Sequence, residues 1–540
     1  MASSHHHRLG GLDVPLPVPQ SQWPPQPYGQ AHAAIAEVND WWIGTPSRLT
    51  ARYAGTPQGS VGSWTTGLKD KLGWGRSPAR AQAPTRRVHV PIAADLANTS
   101  GTLLLSDPWS VRCDGDANDK ANERADLIFN TSRQHSAMLE AAESCAALGG
   151  TFVRVVWNVA LADHVWLDYV DADQAIPFFS YGRLQSVLFW RVLVDDNDMV
   201  LRHFEWHTKG GIHHALYLGS RINVGRPVPL TEHDETATIP VNSDGIVPTN
   251  VPLLTAGYIP NSRPNPEWRG IPALRHLGRS DFGDPGVISL MDQVDEAYSS
   301  LARDIRLAKA RLIIDQGLTQ TGRPGQGSAF DVDQEAYTTV RGAGPDRAPI
   351  LELKQADIRV DPILKAAEAY TREILRRVGY SPATFGMSDD VALTATEVDA
   401  QVRRSVQTHK VKSGHMIGGH SEPSEAALLI DAQVFRTGAM LGDGIQIDWA
   451  PPVRESRLQS AQTIQALDTA RAVSLETKVA MLWPDRDEAW REEEVDRLRK
   501  EQALADPLAL GAGFDGATTS PAVPVADPEA DTPEQGGAAA

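Results

Sequence analysis

Residues 284–313 read DPGVISLMDQVDEAYSSLARDIRLAKARLI, and this stretch decides the fold. Asp284 is a favoured residue for the N-cap of a helix, and Pro285 suits the first helical position, where its missing N–H costs no hydrogen bond. Apolar residues then recur mostly at three- and four-residue steps: Val287, Leu290, Met291, Val294, Leu301, Ile305, Ala308 and Leu312. This period predicts a helical rod over 285–313, about 44 Å long at about 1.5 Å per residue.

A second helix is predicted over residues 361–379. Asp361 is placed as its cap, Pro362 follows, and Gly379 is a typical residue for the C-terminal end. The apolar stripe consists of Ile363, Leu364, Ala367, Tyr370, Ile374, Leu375 and Val378. Residues 314–360, between the two rods, contain a loop rich in glycine and proline. The strand candidates in that segment are 338–341 and 349–353.

The two rods and the small segment at their tip predict an extended hairpin. Such a hairpin buries little apolar surface of its own, so neighbouring structure is needed to cover both of its faces. This requirement points to an oligomer.

Helices dominate the rest of the C-terminal half. After a loop over 380–393, Thr394 and Glu397 form a capping-box pattern that opens a helix over 394–414, which is predicted to stop near Gly414. A further helix is predicted from about Ser421 to Leu441, followed by a strand at 445–449. The last predicted helices are 455–472, 474–483 and 487–502.

The N-terminal half combines helices with strands. Helices are predicted at 31–44 and 120–147. Strand candidates are 152–159, 164–169, 186–194, 200–207 and 213–218, and the run from Asp195 to Asp198 is typical of a hairpin turn. The chain is therefore predicted to be an α+β protein, mostly helical, with an antiparallel sheet in its first half.

Composition limits the class of protein. The chain has 540 residues and is 41% hydrophobic and 22% charged, which is typical of a globular protein with a sizeable core. Its net charge of −17 argues against a broad basic surface that grips nucleic acid. Cys113 and Cys145 are the two cysteines of the sequence, which excludes a disulfide framework and a cysteine-based zinc module. No apolar run reaches membrane-spanning length, so a soluble protein is expected.

Both ends are predicted to be disordered tails, 1–29 and 503–540. Six prolines fall between Pro15 and Pro27, and the C-terminal tail is rich in Ala, Gly, Pro, Asp and Thr. The run His5, His6 and His7 is either natural or part of a tag, and no fold argument depends on it.

Three short motifs suggest chemistry but favour ordinary structure. The run from Asp114 to Asp119 resembles a calcium loop without its glycine and its final glutamate, so a turn and helix cap is favoured. Four histidines lie in neighbouring strand candidates, and alternation places His203 and His207 on one face; ordinary strand histidines are favoured over a metal site. The glycines at 322–327 superficially resemble a glycine-rich phosphate-binding loop. They do not lie between a strand and a helix at the spacing of that motif, so a surface loop is favoured. The strand histidines are His203, His207, His213 and His214.

Several stretches resemble one family when they are taken in order. They are Val88–Ala97, Val170–Pro177 with Tyr181–Leu184, Leu290–Ser300 with Arg303–Leu312, Thr394–Val398, and Ser460–Thr463 through Ser474–Thr477. Together with the order of the predicted elements, they resemble the portal proteins of tailed bacteriophages, in particular those of actinobacteriophages, over about residues 33–502. None of these stretches is a catalytic signature, so the resemblance depends on their order and number.

The resemblance implies a homo-dodecameric ring at one capsid vertex, with double-stranded DNA passing through its channel without tight binding. It implies the large terminase subunit, a head-tail adaptor protein and the major capsid protein as partners, with assembly in the host cytoplasm. The implied regions are a wing at 30–283, a stem at 284–313 and 361–379, a clip at 314–360, a tunnel loop at 380–393, a linking helix at 394–414 and a crown at 415–502. No catalytic residue, metal, cofactor or membrane contact is implied.

The resemblance assigns three groups of residues to the tunnel loop, the stem and the clip. Phe385, Met387, Asp389 and Asp390 are assigned to the channel-facing tunnel loop, although a solvated loop and cap also explains the two aspartates. Asp292, Glu296, Arg372, Arg376 and Arg377 are assigned to contacts between neighbouring subunits or to the channel. Arg323, Gln326 and Asp331 are assigned to the clip loop that docks partners.

Two other functions remain open at this point. One is a soluble enzyme with an unrecognised active site, for which the Asp114–Asp119 turn and the strand histidines are the candidate positions. The other is a different ring-forming virion component, such as an adaptor, although the long rod–tip–rod hairpin favours a portal.

Overall fold

The computed structural model describes residues 16–55, 87–115, 117–308, 311–314, 351–354, 359–387, 395–449, 457–470, 472–483, 486 and 488–505. These fall into two units, one within Met1–Pro452 and one within Val453–Ala540.

The described helices of the first unit are α1 (Tyr28–Ile43), α2 (Pro46–Gly55), α3 (Ile92–Leu104), α4 (Asp119–Ile128), α5 (Ser132–Leu148), α6 (Asp234–Ala237), α7 (Pro285–Leu307), α8 (Val360–Val378) and α9 (Ala395–Val434). The described strands are β1 (Ser110–Asp114), β2 (Gly150–Val156), β3 (Trp166–Asp171), β4 (Ala175–Ser180), β5 (Arg183–Asp196), β6 (Met199–Thr208), β7 (Gly211–Ser220), β8 (Asn223–Val228), β9 (Ile246–Pro248), β10 (Ala256–Pro260), β11 (Arg311–Ile314), β12 (Leu351–Lys354) and β13 (Gly444–Asp448). The second unit contains α10 (Arg457–Thr469), α11 (Leu475–Leu482) and α12 (Glu488–Ala505).

The predicted fold class is confirmed, because helices combine with antiparallel sheets. A six-stranded sheet has the order β4-β5-β6-β7-β8, with β9 paired to β7, and a three-stranded sheet has the order β10-β2-β3. Apolar side chains between these sheets form a core that includes Phe152, Val187, Phe189 and Leu254. The predicted strands thus form two sheets rather than one.

The predicted turn between β5 and β6 is confirmed. Asn197 and Asp198 both have positive φ angles, 47° and 67°. Asparagine and aspartate tolerate this left-handed conformation better than most residues, and two such residues in a row form a hairpin turn that matches strand twist.

The prediction of a disordered tail over 1–29 is wrong for residues 16–29. Trp23 is buried and its ring lies 5.0 Å from that of Phe204 and 5.2 Å from that of Trp190. Gln22 forms a bridge with Asn223 at the end of the six-stranded sheet. A proline-rich segment can be ordered when one large aromatic side chain is buried, and the composition did not reveal that anchor.

The single helix predicted at 120–147 is two helices. α4 ends at Ile128, and Thr131 caps α5 by accepting a hydrogen bond from the backbone N–H of Gln134. Apolar residues on both sides of the break face the same core, which made the helical period look continuous.

The start of the first rod is confirmed and its end is not. The Asp284 carboxylate accepts a hydrogen bond of 2.7 Å from the N–H of Gly286, next to Pro285 at the helix start. The helix ends at Leu307, so its 23 residues span about 34 Å. Leu312, part of the predicted stripe, lies in β11, which pairs with β12. A short run of Leu and Ile is compatible with either a strand or a helix, and here pairing with β12 makes it a strand.

The second rod also differs at its start. α8 begins at Val360 with Arg359 as the residue before it, so Asp361 lies inside the first turn and is not the cap. There its charge still complements the positive end of the helix dipole. Gly379 ends the helix in the left-handed conformation at φ 96°, as predicted.

The break predicted near Gly414 is absent from α9, which runs from Ala395 to Val434 through both that glycine and Pro423. A helix over 394–414 and a separate start near Ser421 are therefore wrong. Gly419 lies against β10, because a Cβ there would be 2.3 Å from Cγ1 of Ile259. This glycine permits close packing rather than ending the helix.

Pro423 supports the same contact. A proline leaves the carbonyl four residues earlier without its helical hydrogen bond, here that of Gly419. That carbonyl oxygen lies against Gly257 of β10, where a Cβ would be only 2.0 Å away. Glycine on the strand and glycine on the helix therefore let two backbones meet.

The strand predicted at 445–449 and the last three helices are confirmed. β13 pairs with β1, and the Ser474 side chain caps α11 through the N–H of Thr477. α12 continues to Ala505, three residues into the tail predicted to be disordered.

We expect Gly419→Ala to lower the thermal unfolding midpoint, because the new methyl group overlaps Ile259, and such overpacking costs about 1–3 kcal/mol. Gly414→Ala is the matched control in the same helix, since nothing lies within 4 Å of a Cβ there. It should raise the midpoint, because alanine is favoured over glycine in a helix by about 1 kcal/mol. Equal midpoints for the two variants would contradict the close contact.

Candidate functional site

The paired helices α7 and α8 run antiparallel, and ion pairs mark both ends of the pair. Arg359, before α8, lies 3.1 Å from Asp304 near the end of α7. Arg377, near the end of α8, lies 3.9 Å from Asp284 at the start of α7. The hairpin predicted from the two rods is therefore present in the described residues.

One end of the helical pair is embedded in a core. The buried members from the pair are Val287, Met291, Val294, Ile374 and Leu375, and they pack with Trp41, Leu96, Ala97, Phe282 and Tyr380. Towards the other end, apolar side chains are exposed: Ile305 is 51% exposed, Leu364 39% and Val360 37%. The pair is thus anchored at one end and presents apolar surface at the other.

An acidic cluster on α7 is held by the segment before α3. Arg87 lies 2.9 Å from Asp292 and 3.2 Å from Glu296. Asp295 is buried and accepts a hydrogen bond of 2.8 Å from the N–H of Val90, with Nδ1 of His89 also at 2.8 Å. Burial raises the pKa of Asp292, and the charge of Arg87 opposes that effect.

The bases on α8 have partners along their own helix. Arg372 lies 2.9 Å from Glu368, and Arg376 and Arg377 both bond to Glu373. The hydrogen bond from Arg376 lowers the pKa of Glu373 to about 2. The structure does not bring these bases next to Asp292 or Glu296 within one chain, and their pairing with acids of a neighbouring subunit stays a prediction.

A buried ion pair joins α9 to the start of the helical pair. Nζ of Lys412 lies 2.6 Å from Oδ2 of Asp281, 2.7 Å from Oγ of Ser100 and 3.1 Å from the hydroxyl of Tyr380. The side chains of Lys412 and Asp281 are 7% and 4% exposed. Burial alone would lower the pKa of Lys412, but the charge and hydrogen bond of Asp281, together with Tyr380, outweigh it and hold the pKa above its usual value. Burial raises the pKa of Tyr380 to about 12.

The loop after α8 begins as a short 3₁₀ turn, Pro382–Phe385. Phe385 is half-buried, with its ring 6.0 Å from that of Tyr380, and Met387 packs against the same core. Ser405 of α9 accepts a hydrogen bond from the N–H of Ser381. Asp389, Asp390, Arg323, Gln326 and Asp331 lie outside the described residues.

His203 and His207 share a face, as alternation predicted, and together with His214 of the next strand they surround Glu205. Nε2 of His203 lies 3.2 Å from Nδ1 of His214, and Oε1 of Glu205 lies 3.5 Å from Nδ1 of His203. Burial lowers the pKa of His203 and of His214 to about 4, so both are neutral at pH 7. Burial would raise the pKa of Glu205, but His207 and Arg154 outweigh it and hold the pKa well below its usual range.

The calcium-like run contains the predicted helix cap. Asn118 accepts a hydrogen bond from the N–H of Ala121 at the start of α4 and donates one to the carbonyl of Gly438. Its side chain therefore joins two segments of backbone that are far apart in sequence.

The sequence matches the family of phage portal proteins, SPP1 Gp6-like, over residues 68–508. The chain belongs to the phage portal protein family. The match covers the paired helices, the strand region and the long helix α9. A phage portal protein is a structural component of the virion at the capsid portal vertex and not an enzyme.

Solved structures to which the chain is similar include chains of gene transfer agent (GTA) particles. A chain in the neck of the empty GTA particle is 13% identical, with 73% of this chain and 90% of that chain covered and a TM-score of 0.39. A chain in the neck of the native particle is 13% identical, with 76% and 94% covered and a TM-score of 0.37. No curated protein matches the chain. Among the described residues, no helix is both long enough and apolar enough to span a membrane.

Sequence reasoning missed the buried polar contacts of this portal protein. Lys412 follows His409, Lys410 and Val411 in a predicted helix, and its position there matches no motif. Asp281 lies three residues before the predicted rod. Neither residue stands out until folding brings them together. For Glu205 a sequence signal did exist: it lies two residues from both His203 and His207 in a predicted strand, which places the three side chains on one face.

We expect Lys412→Met to destabilise the portal protein by about 3–5 kcal/mol, because it leaves the Asp281 carboxylate buried without its cation. A raised lysine pKa contributes stability that is fully present below the unfolded-state pKa, so the loss should be constant between about pH 6 and 9. Thermal or urea unfolding measures it.

The matched control is Arg221→Met, which removes an exposed ion pair to Asp195. Exposed ion pairs contribute little to stability, so the unfolding midpoint of Arg221→Met should equal that of the wild type. A Lys412→Met midpoint equal to that of this control would contradict a stabilising role for the buried pair.

Proposed function

We propose that twelve copies of this portal protein form a ring whose channel passes double-stranded DNA during packaging and ejection. The ring is the docking platform for the large terminase subunit and then for a head-tail adaptor protein, and it contacts the major capsid protein. We assign residues 30–283 to the wing, the pair α7 and α8 to the stem, 314–360 to the clip, 380–393 to the tunnel loop and 415–502 to the crown.

The observation that carries this proposal is the asymmetry of the helical pair. One end is anchored in the core, while Ile305, Leu364 and Val360 are exposed along the free end. Apolar side chains that are exposed along the same end of a helical pair are expected on a surface that another subunit covers. A ring supplies that cover for every copy through the same contact, because each subunit meets its neighbour in the same way.

The charges of the stem support a channel that does not hold DNA tightly. Arg376 and Arg377 bond to Glu373 on the same helix, which reduces their attraction for phosphate. The whole chain has a net charge of −17. Each free cation that meets a phosphate adds salt-dependent affinity and would slow the passage of a duplex.

The copy number is tested by native mass spectrometry and negative-stain imaging of the purified chain. We expect a closed ring of twelve copies with a central channel. A monomer, or a small closed dimer, would defeat the proposal.

The double substitution Ile305→Asp with Leu364→Asp should abolish ring assembly without unfolding the subunit, because both side chains are exposed in the isolated chain. Burying two carboxylates in an apolar contact is strongly unfavourable. The control is Val159→Asp, at a residue that is 71% exposed in the loop after β2. Light scattering should report subunits for the first variant and rings for the control; rings in both would exclude these residues from the contact.

DNA binding by the assembled ring should be weak. We expect a Kd no tighter than the range of about 10⁻⁶–10⁻⁴ M that is typical of non-specific binding at physiological salt. Fluorescence anisotropy with a short duplex at several salt concentrations measures it. A nanomolar Kd would contradict a channel through which DNA slides.

A further inference from the structure

We propose that His203, Glu205 and His214 bind a divalent transition-metal ion, with zinc as the best match, in the six-stranded sheet. The proposed site lies away from the paired helices, and its chemistry is independent of ring formation. Two imidazoles and one carboxylate are a ligand set that zinc uses in proteins.

Strand geometry places the three side chains together. His203 and Glu205 are two residues apart on β6, so they point to the same face of the sheet. Glu205 is directly opposite His214 of β7 in the strand register. Residues in such a cross-strand pair have their Cβ atoms about 5 Å apart, which lets both side chains reach one ion.

The distances are those of a nearly assembled site. One ligand atom from each of His203, Glu205 and His214 lies within 4.8 Å of the other two. Nε2 of His203 and Nδ1 of His214 are 3.2 Å apart. Two nitrogens bound at about 2.05 Å to a tetrahedral zinc ion lie roughly 3.4 Å apart, which is close to the distance between these two atoms.

The surrounding residues orient the carboxylate. Nη1 of Arg154 lies 2.8 Å from Oε2 of Glu205, and a second nitrogen of Arg154 holds Asp168. This contact occupies Oε2, so Oε1 of Glu205 is the oxygen left for the ion; it lies 3.5 Å from Nδ1 of His203 and has to turn towards Nε2 of that ring to join it. Partners of this kind, which fix a ligand without touching the metal, are a regular part of metal sites.

A fourth histidine points towards the same carboxylate. His207 is buried on the same face of β6, and its Nδ1 lies 2.8 Å from Oγ1 of Thr255. Its Nε2 has no hydrogen-bond partner among the residues that the structure describes, and it lies 3.8 Å from Oε2 of Glu205. The distance of 3.8 Å between this nitrogen and the carboxylate is long for a direct hydrogen bond, and a water molecule on the proposed ion would bridge the two groups.

Without a metal, the two close rings would instead share one N–H···N hydrogen bond. The ring planes of His203 and His214 are nearly parallel, at 7°, and the ring centroids are 5.3 Å apart, as in two rings that meet edge to edge. Nε of Arg191 is 3.5 Å from Nδ1 of His203, which is too long to fix which nitrogen carries the proton.

The test uses the full chain and zinc alone. His5, His6 and His7 are changed to Gln in every sample, so that this run does not bind the ion. After dialysis against zinc and then against buffer, elemental analysis should find one zinc per chain. His214→Gln and Glu205→Gln should each raise the Kd at least about 100-fold, because even partners outside the ligand set account for about 10–100-fold.

The control is His213→Gln, next to the proposed ligand on β7 but packed against the ring of Trp206. It should leave the Kd within about twofold of the parent. Circular dichroism confirms that each variant is folded. Equal affinity in the parent and in His214→Gln, or equal loss in His213→Gln, would overturn the proposal.

Cobalt tests the unmutated site and so does not depend on variants that fold. Co²⁺ at a tetrahedral site with nitrogen ligands gives intense visible absorption, and zinc should displace it one for one. A spectrum of aqueous Co²⁺ in the presence of folded protein would show that the rings share only a hydrogen bond.

Discussion

The ion pair between Lys412 and Asp281 is the contact on which the arrangement of the helical pair depends. Removing two charges from water is costly, and that cost is offset here because Ser100 and Tyr380 also bond to the ammonium group. These four residues come from α3, the segment before α7, the segment directly after α8 and the middle of α9. One buried cation therefore holds the base of the paired helices to the body of the protein.

The contacts around Lys412 also hold the start of the loop that follows the paired helices. Tyr380 and Ser381 are fixed directly after α8, the first by Lys412 and the second by Ser405. The residues that leave the helical pair thus start from a rigid base. Contacts with Lys412 and Ser405 of α9 therefore fix the start of this loop, which we propose to face a channel.

A second constraint is the close approach of α9 to β10. Glycines at 257 and 419 remove the side chains that would separate the two backbones, and Pro423 frees the carbonyl that lies between them. This contact explains why a helix can run for 40 residues through several glycines and a proline. Tertiary packing compensates for weak helix propensity, as is common in buried helices.

The sequence by itself determined the fold class, the antiparallel strands, the start of α7 at Asp284 and the order of elements that marks a phage portal protein. Those features depend on helix caps, turns and the spacing of apolar residues, all of which are determined by residues close together in the sequence. Only the tertiary structure decided the burial of Trp23, the continuity of α9, the pairing of Lys412 with Asp281, and the cluster around Glu205. Each of these joins residues that are distant in sequence or replaces a local preference by packing, so no local pattern could reveal it.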